Sequence, residues 1–95
     1  MSERLTLDEG SVLKLPRHAK LRFDKPRDKW IILAPERVFE LDEIAHEVIS
    51  LCDGVRTLTE VVDALTKKFD APREVIAEDA TAMLQDLADK GFVVI

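Results

Sequence analysis

The hydrophobic pattern of this 95-residue chain changes its period once, at Leu41, and this change limits the possible folds more than any other feature. Before Leu41, apolar and polar residues alternate, as over residues 19–24, which is typical of strands with one buried face. After Leu41, apolar residues recur every three or four positions, which is typical of amphipathic helices. A run of strands followed by a run of helices predicts an α+β fold.

Three short strands are predicted before Leu41. The first covers residues 19–24, and the turn-forming segment Lys25-Pro26-Arg27-Asp28 follows it. The second, residues 30–33, is apolar at four successive positions, which predicts the middle strand of a small sheet. The third covers residues 37–41. Because the connections are short, we expect a three-stranded antiparallel meander with two edge strands.

Three helices are predicted after Leu41, each with a recognisable start. Asp42 is a good N-cap for the first helix, and Thr57 with Glu60 forms a capping box for the second. Pro72 suits the start of the third helix, and Gly91 follows its end. The helices are expected at residues 42–54, 57–69 and 72–91, followed by an extended tail at residues 92–95.

The order of these elements predicts a winged helix-turn-helix-like fold, in which a three-stranded antiparallel sheet is followed by three helices. A chain of this length has room for one hydrophobic core. Residues 1–15 show no sustained period and end before Pro16, so we expect a flexible N-terminal arm there. Residues 16–95 are expected to form the single domain.

The charge distribution bears on the function most often attached to such a fold, which is DNA binding. Residues 1–39 carry nine Lys/Arg and six Asp/Glu, a net +3, whereas residues 40–95 carry five and thirteen, a net −8. A recognition helix needs cations to neutralise phosphates. The third predicted helix has only Arg73 and Lys90 against five acidic residues, so a winged-helix DNA-binding regulator is the alternative and nucleic acid is not the expected partner.

The chain has few residues suited to catalysis or to holding a metal. His18, His46 and Cys52 stand in no CxxC or HxxxH spacing, so no metal site is expected. Cys52 lies on the apolar stripe of the first helix, where a buried, inert thiol is expected, and His46 is expected on the helix surface. Three glycines leave little for a phosphate-binding loop. We therefore expect neither an enzyme nor a cofactor.

The cellular compartment is predicted from the cysteine count, the first ten residues and the length of the apolar runs. A single cysteine cannot form an internal disulfide, and residues 1–10 lack the basic and apolar regions of a secretory signal. No apolar run approaches the length of about 20 residues that a membrane span needs. The sequence therefore predicts a cytoplasmic protein with no membrane partner.

Two features favour a binding function. The third predicted strand, Arg37-Val38-Phe39-Glu40-Leu41, has no proline that would block an added strand along its edge. One flank of the third predicted helix combines apolar, small and acidic side chains that would wall a groove. These flank residues are Val75, Asp79, Ala82 and Asp86. From the residues alone, an ordinary edge strand and an ordinary helix flank remain the simpler alternative.

Two motifs carry a family resemblance. The run Trp30-Ile31-Ile32-Leu33-Ala34-Pro35-Glu36 and the later run Leu51-Cys52-Asp53-Gly54 stand in this order and spacing. The segment from Pro16 to Phe92 resembles the PqqD family, whose members serve the biosynthesis of pyrroloquinoline quinone (PQQ). Such modules are recognition elements for ribosomally made and post-translationally modified peptides (RiPPs).

The resemblance implies a peptide chaperone. Such a module binds the precursor peptide PqqA and presents it to PqqE, the radical S-adenosylmethionine enzyme that joins a glutamate to a tyrosine within it. In this class the peptide is added as a strand beside the third strand, in a groove walled by the third helix. The peptide-binding residues expected here are therefore Arg37, Val38, Phe39, Glu40 and Leu41 on the strand, and Val75, Asp79, Ala82 and Asp86 on the helix.

Overall fold

The computed structural model describes residues 6–95. Five strands and three helices follow one another in a mixed order, and the predicted α+β class, with a three-stranded antiparallel sheet and three helices, is confirmed. The elements are β1 (Val12–Lys14), β2 (Lys20–Asp24), β3 (Lys29–Ala34), β4 (Arg37–Leu41), α1 (Glu43–Ser50), β5 (Asp53–Thr57), α2 (Leu58–Lys68) and α3 (Arg73–Asp89).

The three-stranded sheet has the order β2-β3-β4, with β3 in the middle as its continuous apolar run predicts. Leu21, Ile32 and Phe39 stand opposite one another across the sheet, and Ile32 is fully buried. Glu36, in the turn between β3 and β4, has a φ of 61°. With Pro35 before it, this is the geometry of a tight two-residue turn, and it fixes where β4 begins.

The helices begin where their capping residues predict. The Asp42 carboxylate accepts the backbone N–H of Ala45 at 2.7 Å, and the capping box of Thr57 and Glu60 is formed in both directions. Helix α1 ends at Ser50 and is therefore shorter than predicted. Its apolar spacing continues through Cys52 because that side chain belongs to the core, although the backbone has already left the helix.

A second, two-stranded sheet of β1 and β5 was not predicted. The pairing joins Val12 to Thr57 and Lys14 to Asp53, across the whole three-stranded sheet and α1 in sequence. Lys14 also exchanges two backbone hydrogen bonds with Val94, of 2.9 and 2.8 Å, so the predicted extended tail does fold back onto the domain. A three-residue strand is too short to show a period, and its partners are distant in sequence, which is why the pattern does not reveal it.

The segment before Pro16 differs from the expected arm wherever the structure describes it. Leu13 is fully buried, Leu7 is buried, and the Leu7 backbone N–H donates to Gln85 Oε1 of α3 at 3.0 Å. Residues 7–14 thus contribute to the core, because their isolated leucines find partners from the far end of the chain. Residues 1–5 of the expected arm lie outside the described residues.

The core lies between the helices, the two-stranded sheet and the inner face of the three-stranded sheet. Its largest fully buried side chains come from all three parts. They are Leu13, Ile32, Val48, Val61, Leu84, Leu87 and Val93. Among the helices of residues 6–95, none combines the length and the apolar run that crossing a bilayer takes.

Candidate functional site

The outer edge of β4 has backbone groups available for pairing. Within residues 6–95, β4 pairs with β3 only. Ala34 and Arg37 flank the two-residue turn and form its closing pair, and hydrogen-bonded pairs then alternate along an antiparallel ladder. Arg37, Phe39 and Leu41 therefore direct their N–H and C=O groups toward β3, whereas Val38 and Glu40 direct theirs toward the open edge. This edge meets the requirement for accepting an added strand.

The first half of β4 lies beside the C-terminal end of α3. The Arg37 side chain donates from Nη2 to the backbone oxygen of Lys90 at 2.7 Å, and its guanidinium lies 4.2 Å from the Phe92 ring centre. Phe39 packs on Phe92 with ring centres 5.2 Å apart, and Lys90 Nζ lies 5.0 Å from the centre of the Phe39 ring. These contacts hold strand and helix end together.

The other end of β4 leads into an apolar cavity between the helices. Leu41 and Asp42 are followed by Ile44, which is 57% exposed and lines a cavity of about 360 Å³ with the N-terminal half of α3. Val75 of α3 also lines the cavity and is 48% exposed. The other lining residues are Val48, Leu65, Phe69, Asp70, Ala71, Ile76, Asp79, Ala80 and Met83. Two exposed apolar side chains at one opening are suited to receive an apolar side chain from a partner.

A second, wider depression of about 1000 Å³ adjoins the first, and the two share Ile44 and Phe69. It lies at the C-terminal end of β4 and includes Glu40 and Leu41. Trp30 stacks on His46 there, with ring centres 4.1 Å apart and planes inclined by 12°. His46, expected on the helix surface, is half-buried there because Trp30 covers one face of its ring.

The structure places the predicted site residues in two groups. The five strand residues, Arg37 to Leu41, form β4. On α3, Val75 and Asp79 line the apolar cavity, whereas Ala82 and Asp86 are exposed and lie outside that lining. Asp86 instead accepts from Lys90 Nζ at 2.8 Å, which connects this flank to the contact of Lys90 with Phe39.

Sequence reasoning missed the contribution of α1 and α2 to this site, chiefly Ile44 and Phe69. Both fit the apolar stripes of their helices, and stripe residues are normally assigned to the core. One sequence feature separates Ile44 from the buried residues of its stripe: it lies in the first turn of α1, directly after β4.

Cys52 and its neighbour Asp53 have structural roles. Cys52 is buried, as expected; burial raises the pKa of its thiol to about 12, and the nearby charge of Asp53 adds to the rise. Asp53 accepts the backbone N–H groups of Arg56 and Val55 at 3.1 and 3.0 Å, and these bonds hold the pKa of its carboxyl below the ordinary value. Within the described part, no three His, Cys, Asp or Glu side chains are grouped to hold a metal ion.

Helix α3 is poorly suited to approach phosphates. Its Arg73 lies 2.9 Å from Asp63 of α2, and Lys90, which follows the helix, is engaged with Asp86. Helix α3 has more acidic than basic residues, since Arg73 and the following Lys90 are its cations. Its five carboxylates belong to Glu74, Glu78, Asp79, Asp86 and Asp89. The surface beside β4 is therefore unfavourable for a polyanion and open to a peptide.

A family model matches most of this chain. The family model described as coenzyme PQQ synthesis protein D (PqqD) matches residues 29–93, which include β3, β4 and all three helices. The chain belongs to the PqqD family. A relative from Rhodopseudomonas palustris (strain BisB5), named a PqqA binding protein, is 54% identical over 92 residues, covering 97% of this chain and 90% of the relative.

A solved PqqD structure agrees with this family, and a more distant structure shares the fold. The solution structure of the PqqD portion of Methylobacterium extorquens PqqCD, described as a functional and stand-alone RiPP recognition element, aligns with a TM-score of 0.80 and 38% identity, covering 95% of this chain and 96% of that one. TbiB1 in complex with a leader peptide aligns with a TM-score of 0.73, covering 84% of this chain and 93% of that one. Its 22% identity shows the shared fold alone.

Proposed function

We propose that this PqqD-family chain is a peptide carrier that binds PqqA and presents it to PqqE during PQQ synthesis. The names of its relatives, PqqA binding protein and RiPP recognition element, support peptide binding in this pathway. The chain itself makes and breaks no bond in this proposal. It acts in the cytoplasm, where a ribosomally made precursor becomes available.

The observation that carries the proposal is the open edge of β4. The N–H and C=O groups of Val38 and Glu40 offer a peptide four backbone hydrogen bonds, and none of these groups is needed for the β3 ladder. Backbone pairing supplies affinity that depends little on the peptide sequence. The peptide would thereby become the fourth strand of the sheet.

Selectivity for the peptide would come from the helices beside this edge. A strand on β4 continues past Leu41 toward Ile44 and Val75, where the cavity accepts a large apolar side chain. Asp79, Ala82 and Asp86 form the flank of α3 along the same path, as proposed from the sequence, with Asp86 fixed by Lys90. The winged-helix-like arrangement would in this way use its third helix to hold a peptide instead of DNA.

The carrier accelerates the reaction of its partner only by concentration and orientation. A peptide held on a carrier that is docked to an enzyme meets the active site at an effective concentration on the order of 1 mM. That gain requires no acid, base or nucleophile from the carrier. It suits a chain whose one thiol is buried and protonated.

The proposal is tested by changing one backbone N–H on the open edge. Val38→Pro removes an outward donor while leaving the ladder with β3 intact, because the Val38 N–H does not point toward β3. Titration calorimetry with PqqA should show low-micromolar or tighter binding to the wild type and a loss of about tenfold or more for Val38→Pro. Amide shifts in the wild type should concentrate on residues 37–41 and on α3.

Val38→Ala is the matched control, because it shortens the same side chain and keeps the N–H. It should bind PqqA within about twofold of the wild type. Equal PqqA affinity of Val38→Pro and Val38→Ala, with both variants folded by circular dichroism, would contradict strand addition at β4. Shifts confined to the hairpin of β2 and β3 would contradict the assignment of the groove.

A further inference from the structure

The outer face of the three-stranded sheet, which points away from the helices, carries an unusual apolar row. Leu33 and Val38 stand opposite each other on β3 and β4 and are 39% and 45% exposed. Lys20 on β2 stands opposite Leu33, so the cross-strand row that contains these two apolar residues has a charged residue at its β2 end. An outward face of an antiparallel sheet normally carries polar residues, so two adjacent exposed aliphatic side chains depart from that pattern.

The charges on this face are not balanced. Its carboxylates Asp24 and Glu40 both have cationic partners, since Arg27 lies 3.5 Å from Asp24 and Lys29 lies 3.3 Å from Glu40. Lys20 and Arg22 are exposed and have no carboxylate partner in the described part of the chain. The free charge beside the apolar row is therefore positive, whereas the helical side of the molecule is acidic.

The same face is continuous with the edge that would hold the peptide. Val38 belongs to both, because its backbone faces the open edge and its side chain stands on the outer face. In a strand added to β4, alternate side chains would extend the row of Lys20, Leu33 and Val38 by one position. A protein lying on the outer face would then contact carrier and peptide together.

We propose that the outer face of β2-β3-β4 is the docking surface for the enzyme that acts on the carried peptide. The inference rests on the proposed carrier function. The matching surface on that enzyme is apolar at its centre and carries carboxylates toward Lys20 and Arg22. Opposite charge on the two sides of the carrier keeps an acidic enzyme surface away from the helices and directs it to the sheet.

The test measures binding of purified PqqE and of PqqA to the same set of variants by calorimetry. Leu33→Ser removes the exposed apolar side chain, and the pair Lys20→Glu with Arg22→Glu reverses the free charge. Each should weaken PqqE binding by about tenfold or more and leave PqqA affinity within about twofold. Val55→Ser and Lys67→Glu are the matched controls, because both residues are exposed and lie on β5 and α2, away from this sheet.

The outcomes separate this inference from the carrier function. PqqE affinity lost in Leu33→Ser and in the charge-reversal pair but retained in both controls supports the outer face. Equal PqqE affinity of the wild type, Leu33→Ser and the charge-reversal pair overturns the outer face and leaves the carrier function standing. A wild type that binds PqqA and not PqqE overturns both presentation and docking.

Discussion

Strands β1 and β4 differ in how many of their two edges are paired with another segment of the chain. Strand β1 lies between β5 and the C-terminal tail, with Lys14 opposite Asp53 on one side and bonded to Val94 on the other. Strand β4 has β3 on one side and, within the described residues, no strand on the other. One sheet thus ties residues that are distant in sequence into the core, whereas the other leaves one edge of β4 unpaired within the described residues, and this is the edge on which the proposed function depends.

The largest expected effect on stability comes from the closed strand. Leu13→Ala should lower the free energy of unfolding by about 3 kcal/mol, because Leu13 is fully buried and the core would be left with a cavity. Val38→Ala on the open strand should lower it by less than about 0.5 kcal/mol. Urea unfolding followed by circular dichroism measures both. A similar loss of unfolding free energy in Leu13→Ala and Val38→Ala would contradict the claim that β1 is a core strand and β4 an edge strand.

A smaller effect is expected where the closed sheet meets α2. Thr57 stands opposite Val12 in the sheet and also caps α2, accepting the backbone N–H of Glu60 at 3.2 Å. Thr57→Ala should cost about 1 kcal/mol of stability. Thr66→Ala, in the interior of the same helix, should change it by less than about 0.5 kcal/mol, because Thr66 only returns a hydrogen bond to its own helix. Both variants should retain PqqA affinity. A loss of PqqA binding in Thr57→Ala alone would contradict the proposal that the sheet of β1 and β5 takes no part in peptide binding.

The contrast between the strands also explains how much of the molecule the sequence predicts. Strand β4 and the caps of α1 and α2 are predictable because local residues determine them: the Pro35-Glu36 turn, Asp42, and Thr57 with Glu60. Strands β1 and β5 are not predictable, because β1 has only three residues, β5 shows no apolar alternation, and the two lie far apart in sequence.

The candidate site divides in the same way. The edge residues follow from the strand pattern, and Val75 and Asp79 follow from the helix flank. The contribution of Ile44 and Phe69 to the cavity depends on how α1 and α2 pack against α3. The spacing of apolar residues shows which face of a helix a residue lies on, but it does not show which other element packs against that face. The proposed function rests on membership of the PqqD family, because neither composition nor charge indicates it.

The most direct test of the account is amide hydrogen exchange of the protein with and without saturating PqqA. Exchange at the N–H groups of Val38 and Glu40 should slow by about tenfold or more on binding, because these groups gain partners on the open edge. The N–H groups of Leu21 and Phe23, on the outer edge of β2, should exchange as before. Unchanged exchange at Val38 and Glu40 while PqqA is bound, or new protection at Leu21 and Phe23 instead, would contradict it.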